Sequence, residues 1–183
     1  MNFRKSFILV AFLSLFALQI SAQEEPHFKI VLGLNAIDNS NSTSQAPWGI
    51  DDVAFNTPLY VGADYQINSS WSFGANASFN KLKELGVESN FFGVNADVNY
   101  YIVSNTARSF IDFYGIVGGG AYKAFGGTGI TVNPGLGFNY WFADNFGVNL
   151  TAKANFDLTS NVSEVGNFYK YSLGLIWRPT QRF

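Results

Sequence analysis

The stretch Phe92-Gly93-Val94-Asn95-Ala96-Asp97-Val98-Asn99-Tyr100-Tyr101-Ile102 alternates without interruption. Phe92, Val94, Ala96, Val98, Tyr100 and Ile102 fall on one side, and Gly93, Asn95, Asp97, Asn99 and Tyr101 on the other. Successive side chains of a β-strand point to opposite faces, so this is a strand with one apolar and one largely polar face. Its eleven residues match the ~9–11 that a tilted strand needs to cross a bilayer, and exceed the ~5–6 usual in soluble sheets.

The same period extends to both sides. Strands are predicted over 28–36, 59–67 and 71–79 before this stretch, and over 111–122, 130–142, 146–156 and 169–177 after it. In 111–122 both faces are apolar and the phase is ambiguous. Pro134 has no N–H to give a ladder, so a bulge or a local break is expected there. The longer or more polar connections, 37–57, 81–90, 123–129 and 157–167, follow the odd strands. The short ones, 68–70, 103–109 and 143–145, follow the even strands, and Asn68-Ser69-Ser70 and Asp144-Asn145 are turn formers. The expected fold is all-β: an eight-stranded antiparallel up-and-down transmembrane β-barrel with short periplasmic turns and longer outer loops.

Composition narrows the function classes. The chain has 183 residues, enough for one domain. It is 48% hydrophobic and 13% charged, about half the charge of an ordinary soluble domain, which excludes a disordered chain. No basic excess exists to neutralise phosphates, so nucleic acid is not an expected partner. The absence of cysteine excludes disulfide scaffolds, thiol catalysis and zinc sites built on Cys. At the start, the basic Asn2-Phe3-Arg4-Lys5, the fourteen-residue apolar run 7–20 and Ser21-Ala22-Gln23 have the layout of a secretory signal peptide. As a helix that run spans about 21 Å, short of the ~30 Å of a hydrocarbon core. Residues 1–22 are therefore expected to be removed, leaving 23–183 as the outer-membrane barrel domain.

Size decides which face meets lipid. Eight strands enclose an interior just wide enough for side chains. The polar face carries glycines such as Gly33, Gly62, Gly93, Gly137 and Gly174, while the other carries Phe73, Phe138, Leu150 and their like. Small residues suit the inside and bulky ones the outside. Aromatics collect at strand ends, with Trp71, Tyr100, Tyr140, Phe142, Phe146 and Trp177 beside the short turns. Phe79, Phe92, Phe156 and Tyr169 lie beside the long loops. Two aromatic belts at the headgroups are the expectation. Lys29, Asp64, Asp97, Lys153, Lys170 and Arg178 fall on the inner face by phase, and Asp112 less firmly. Isolated charges in a narrow interior are costly, so an ion-pair network plugging the lumen is expected. Lys29, Asp112 and Arg178 should lie toward the periplasm, the others toward the middle or outer half.

Two pieces carry a family resemblance. Gly135-Leu136-Gly137-Phe138-Asn139-Tyr140-Trp141-Phe142-Ala143-Asp144-Asn145-Phe146-Gly147-Val148-Asn149-Leu150 resembles the sixth and seventh strands of the outer membrane protein A-like barrel domains of Bacteroidetes-type bacteria. Tyr171-Ser172-Leu173-Gly174-Leu175-Ile176-Trp177 resembles their closing strand. The resemblance implies an eight-stranded outer-membrane barrel with a structural or surface role, inserted by the barrel-assembly machinery. Many members carry a peptidoglycan-binding domain after the barrel. The chain stops five residues beyond Arg178, so wall tethering is not carried over.

No catalytic, cofactor or metal site is expected. The sole histidine, His27, precedes the first strand and reads as a solvated residue at the periplasmic end. Asp51 and Asp52 are adjacent and point apart. Gly118-Gly119-Gly120 is followed by no helix that would cradle a phosphate, and reads as crowded barrel wall. The first outer loop, 37–57, carries Trp48, Ile50, Val53 and Phe55, apolar groups that mark a partner site or fold back over the mouth. The expected function is a non-enzymatic outer-membrane protein with a structural envelope role and a plugged polar lumen. Surface binding through 37–57 and a narrow small-solute pore are the alternatives. Expected partners are outer-membrane lipid and lipopolysaccharide, the barrel-assembly machinery during insertion, and a surface ligand held by the outer loops.

Overall fold

The computed structural model describes residues 27–38, 53–84, 87–104, 110–159, 161–162 and 165–179, and no helix occurs among them. The leader expected over 1–22 and residues Trp48, Ile50, Asp51 and Asp52 lie outside the described residues. The strands are β1 (His27–Asp38), β2 (Val53–Ala54), β3 (Leu59–Gln66), β4 (Trp71–Glu84) and β5 (Val87–Val103). They continue with β6 (Ile111–Ala124), β7 (Gly127–Val132), β8 (Gly135–Trp141), β9 (Phe146–Asp157) and β10 (Phe168–Trp177). β2 is a two-residue piece on β1, and β7 and β8 are two lengths of one strand. Each full strand pairs antiparallel with the next, and β10 returns to β1 from Ile30↔Trp177 to Asp38↔Tyr169. The hydrogen bonds form a ring through eight strands. Closure leaves no open sheet edge around the wall. Below, the end where β1 begins is the base, and the end where β4 meets β5 is the rim.

Exposure settles inside from outside. Leu32, Val117, Leu173 and Leu175 are 51–64% exposed, whereas Asn95, Asp97, Asn139, Lys153 and Ser172 are 1–9% exposed. The apolar faces point outward and the polar faces line the axis. β6, whose phase was ambiguous in the sequence, turns Asp112, Tyr114, Ile116 and Tyr122 inward and Val117 outward.

The interior is not filled by small residues alone. Tyr114 sits opposite Gly137 and Tyr122 opposite Gly129 in the ladders. A Cβ on Gly137 would lie 2.6 Å from the Tyr114 hydroxyl oxygen, and one on Gly129 2.7 Å from that of Tyr122. The rings occupy the space that the facing glycines leave, the aromatic rescue known from sheet glycines.

Two expected outer loops are strand instead. β4 and β5 stay paired to Glu84↔Val87, so 81–90 is a long hairpin. Lys81, Lys83, Glu88 and Asn90 are the polar outer face of this ladder, while Leu82 and Phe91 fill its inner face. The polarity that reads as a loop is therefore one side of a strand that has risen past the apolar band. Likewise 123–129 is a tight hairpin, with φ of +47° at Phe125 and +78° at Gly126. Both central residues with positive φ fit the twist of the flanking strands. The bulky Phe125 is held there by packing on the apolar cluster at the rim, and its N–H donates to Ser89 Oγ at 2.7 Å.

Pro134 does interrupt its strand, but without a bulge. β6 pairs Gly119↔Val132 before the break and Ile116↔Gly135 after it, so the register is unchanged. The one irregularity between β5 and β6 falls at Tyr101/Val103. At the base, Asn68 Oδ1 accepts from the N–H groups of Ser70 and Trp71, both at 2.9 Å, which fixes the first short turn.

Candidate functional site

The lumen has three layers, each built by inward positions of several strands. At the base, Lys29 of β1 reaches across the axis to Asp112 of β6, 3.5 Å away, and donates to the Tyr101 hydroxyl at 3.2 Å. The same Asp112 Oδ2 accepts from Asn139 Nδ2 at 2.8 Å and from Trp141 Nε1 at 2.9 Å. Asn149 Nδ2 donates to Asn139 Oδ1 at 2.7 Å and to the Tyr114 hydroxyl at 2.9 Å. Trp141 is fully enclosed, with Lys29 Nζ 5.7 Å from its ring and the Arg178 guanidinium 4.7 Å from it. A charged pair this deep is tolerated because both ends have further polar partners, the Tyr101 hydroxyl for Lys29 and the Asn139 and Trp141 N–H groups for Asp112.

The middle layer is a continuous side-chain chain across the axis. Lys153 pairs with Asp97. Asn76 Nδ2 donates to the same carboxylate at 2.6 Å, and Asn95 Nδ2 donates to Asn76 Oδ1 at 2.9 Å. Asn133 Nδ2 donates onward to Asn95 Oδ1 at 2.9 Å. Lys170 Nζ meets Asn76 Oδ1 at 3.4 Å. Just below, Asn99 Nδ2 donates to Asp64 Oδ1 at 2.9 Å and to Ser72 Oγ at 3.0 Å. A cavity of about 20 Å³ lies between Asp64, Asn76, Asp97, Asn99, Tyr114 and Asn149, room for about one water.

The rim layer is apolar. Ile37, Leu82, Phe91, Tyr122, Ala124 and Phe168 close the mouth from the wall. Val162 and Val165, from the connection after β9, sit in the same cluster with 2% and 0% exposure. Their turn is held by the N–H groups of Val165 and Gly166, which both donate to the Val162 carbonyl at 3.1 Å. Phe91 stacks on Tyr122, with centroids 5.8 Å apart, and meets Phe168 edge-on at 5.6 Å.

Lys29, Asp64, Asp97, Asp112, Lys153 and Lys170 thus all point into the lumen, in two separate pairs and their polar neighbours rather than one ion-pair chain. Arg178 is not among them. It lies just past β10, where its Nη2 donates to the Asp144 carbonyl at 2.8 Å and its N–H to the Asn145 carbonyl at 2.9 Å. The base turn offers carbonyls to the guanidinium at the mouth, so it caps Trp141 from below instead of pairing inside. His27 is the first residue of β1, opposite Gln66, and is half-buried rather than solvated. The apolar rim layer was not anticipated. Its signal in the sequence is parity, since Leu82, Phe91, Tyr122 and Phe168 continue the inward phase of their strands.

The outside is equally ordered. Trp71 and Tyr100 face each other at 4.8 Å near the base, and Phe146 stands opposite Trp177 at the base on the other side of the ring, with Tyr140 and Phe142 also exposed near the base. Toward the rim Phe79 and Phe92 lie 4.8 Å apart, with Phe156 exposed and Tyr169 half-buried. Of the loop candidates, Val53 pairs with Asp38 through its backbone, and Phe55 is 55% exposed. Phe55 lines an apolar groove of about 260 Å³ on the outer wall with Leu34, Ala36, Ala152, Tyr171 and Leu173.

No protein-family model and no curated protein sequence matches the chain. Solved structures do. The neisserial surface protein NspA aligns at 15% identity over 83% of this chain and 96% of its own, with a TM-score of 0.61. OprG, an outer membrane protein of Pseudomonas aeruginosa, aligns at 13% identity over 89% of this chain and 100% of its own, also with a TM-score of 0.61. Ail, the attachment invasion locus protein of Yersinia pestis, aligns at 14% identity over 84% of this chain and 97% of its own, with a TM-score of 0.52. Ail is also known in a phospholipid bilayer nanodisc and in complex with the heparin analogue sucrose octasulfate. At such identities the likeness is one of fold, that of eight-stranded outer-membrane β-barrels.

Proposed function

We propose that this chain is a non-enzymatic outer-membrane barrel with a closed lumen and a structural role in the envelope. The observation that carries the reading is the inversion of its faces. Bulky apolar side chains cover the outside between two sets of aromatics, while lysines and aspartates are buried along the axis. Fully burying one such apolar side chain is worth about 1.5–3 kcal/mol, so a wall of them is stable only against acyl chains. On this reading the base is periplasmic and the rim faces outward. The partners are then outer-membrane lipid and lipopolysaccharide, with insertion by the barrel-assembly machinery. The resemblance of 135–150 and 171–177 to outer membrane protein A-like barrels of Bacteroidetes-type bacteria supports the same placement.

A structural role is favoured over a pore because three different layers fill the axis. It is favoured over catalysis because the luminal Lys29 and Lys153 are engaged by Asp112 and Asp97. Cell fractionation with heat-modifiable gel mobility tests residence and closure together. The expected result is outer-membrane recovery and a faster-migrating unboiled form. A chain recovered in the soluble fraction, with one mobility, would refute it. Planar-bilayer recordings of the refolded protein should show no large stable conductance.

Surface binding is the second reading, favoured by the exposed Phe55 beside its apolar groove and by the polyanion complex of Ail. Deleting 40–54 should abolish adhesion or ligand binding under that reading and leave the barrel intact.

A further inference from the structure

The described cations sort by place. Lys29, Lys153 and Lys170 are inside the lumen and Arg178 caps the base. The remaining three, Lys81 and Lys83 of β4 and Lys123 of β6, all lie on the outer surface of one side of the rim. Lys123 stands opposite Phe92 in the β5–β6 ladder, and Phe92 stands opposite Phe79 in the β4–β5 ladder. Lys81 and Lys83 follow Phe79 by two and four residues on the same face, about 7 and 14 Å further along the strand. β4 and β6 are two strand spacings apart, roughly 10 Å. The three lysines thus stand beside and beyond the rim end of an aromatic pair, within a sector of three neighbouring strands, β4 to β6. Lys83 and Lys123 are exposed and Lys81 half-buried, and none makes an ion pair among the described residues. Glu88, opposite Lys83, is the acid facing them from β5, and Asn90 and Thr128 are their neutral neighbours. The other side of the rim differs. There the exposed or half-buried outward residues are Leu59, Phe156, Leu158, Tyr169 and Tyr171, and the charge beside them is the buried Asp38 opposite Tyr169.

We propose that this β4–β6 sector of the rim is a docking site for phosphate-bearing headgroups of net negative charge in the surrounding lipid leaflet. Lys81, Lys83 and Lys123 hold phosphate oxygens, while Phe79 and Phe92 lie among the upper acyl chains. Lys123 stands level with Phe92 at the top of the apolar band, and Lys81 and Lys83 lie beyond that band, where headgroups begin. Aromatic rings below and ammonium groups above match the order of a lipid, with chain below and phosphate above, and do not match that of a soluble anion. The proposal rests on the reading that the rim faces the outer leaflet, and names lipid carrying phosphate as the partner there.

Refolded protein in zwitterionic detergent is titrated with bis-phosphorylated lipid A, and bound lipid is read by native mass spectrometry. The triple variant K81Q/K83Q/K123Q should bind about 100-fold more weakly, taking a surface lysine near charged lipid at ~1 kcal/mol each. E88Q should bind a few-fold more tightly. Zwitterionic phosphatidylcholine should bind alike to all three proteins, and inorganic phosphate should not displace lipid A. Lipid A binding by the triple variant within twofold of the parent would overturn the proposal. So would capture of heparin, a soluble polysulfated saccharide, in preference to lipid A. If the parent shows no heat-modifiable mobility and does not insert into vesicles, the barrel reading fails instead.

Discussion

At the rim Ile37, Leu82, Phe91, Tyr122, Phe168 and two valines form an apolar cluster, with the Asn80 amide and the Tyr122 hydroxyl as its polar groups. Below it the same cylinder is filled by Asn76, Asn95, Asp97, Lys153 and their neighbours, where each group is placed by a named partner. Both regions occupy inward positions of the same strands. They differ in what holds them. The apolar end depends on volume, and a close-packed core tolerates exchange when volume is kept. The polar region depends on pairing, because a buried charge that loses its partner keeps its desolvation cost. The two ends of one lumen should therefore fail differently when damaged.

The largest effect is expected in the polar region. Asp97→Ala leaves the Lys153 ammonium and the Asn76 amide without their acceptor. Urea unfolding followed by tryptophan fluorescence should show a loss of about 4 kcal/mol. The double variant Asp97→Leu/Lys153→Met removes both charges and should recover most of it. A double variant as unstable as the single one would show that pairing is not what holds this layer. Phe91→Ala in the rim cluster should cost about 3 kcal/mol, whereas Phe91→Leu should cost under about 1.5 kcal/mol. Equal losses for the two would mean that ring geometry, and not volume, governs the rim. Phe91→Ala should also leave bilayer conductance unchanged, since the lower layers still fill the axis.

Smaller effects belong to the base. Trp141→Phe keeps most of the ring but loses the indole N–H to Asp112, and about 1–2 kcal/mol is expected. Arg178→Gln removes a partly exposed cation over that ring, and the loss should stay below about 1 kcal/mol. An Arg178 effect as large as that of Asp97 would place the guanidinium inside the network after all.

The strands, their closure and the inward lysines and aspartates were legible because alternation is local and each strand carries its own. Trp71-to-Phe79 and Phe92-to-Tyr100 needed no knowledge of their neighbours. The height of the β4–β5 hairpin was not legible, because the outer face turns polar at Lys81 and at Asn90 where the wall rises past the apolar band. Only the inward Leu82 and Phe91 mark it as strand. The partners inside the lumen were not legible either. Lys29 meets Asp112 across the axis, and such a contact depends on the stagger of the whole ring. The phase of β6 was hidden for a related reason. Its outer face is apolar toward the surroundings, and its inner face carries Tyr114, Ile116 and Tyr122 to fill the space above glycines on the next strand.

The most direct test uses the absence of cysteine in the chain. Single spin labels at Val98→Cys, Leu150→Cys and Leu173→Cys, on three strands around the wall, are read in vesicles with two relaxing agents. Oxygen, which dissolves in acyl chains, should relax all three strongly, and a water-soluble nickel chelate should hardly reach them. Strong relaxation by the nickel chelate and weak relaxation by oxygen at these positions would put water where the account puts lipid.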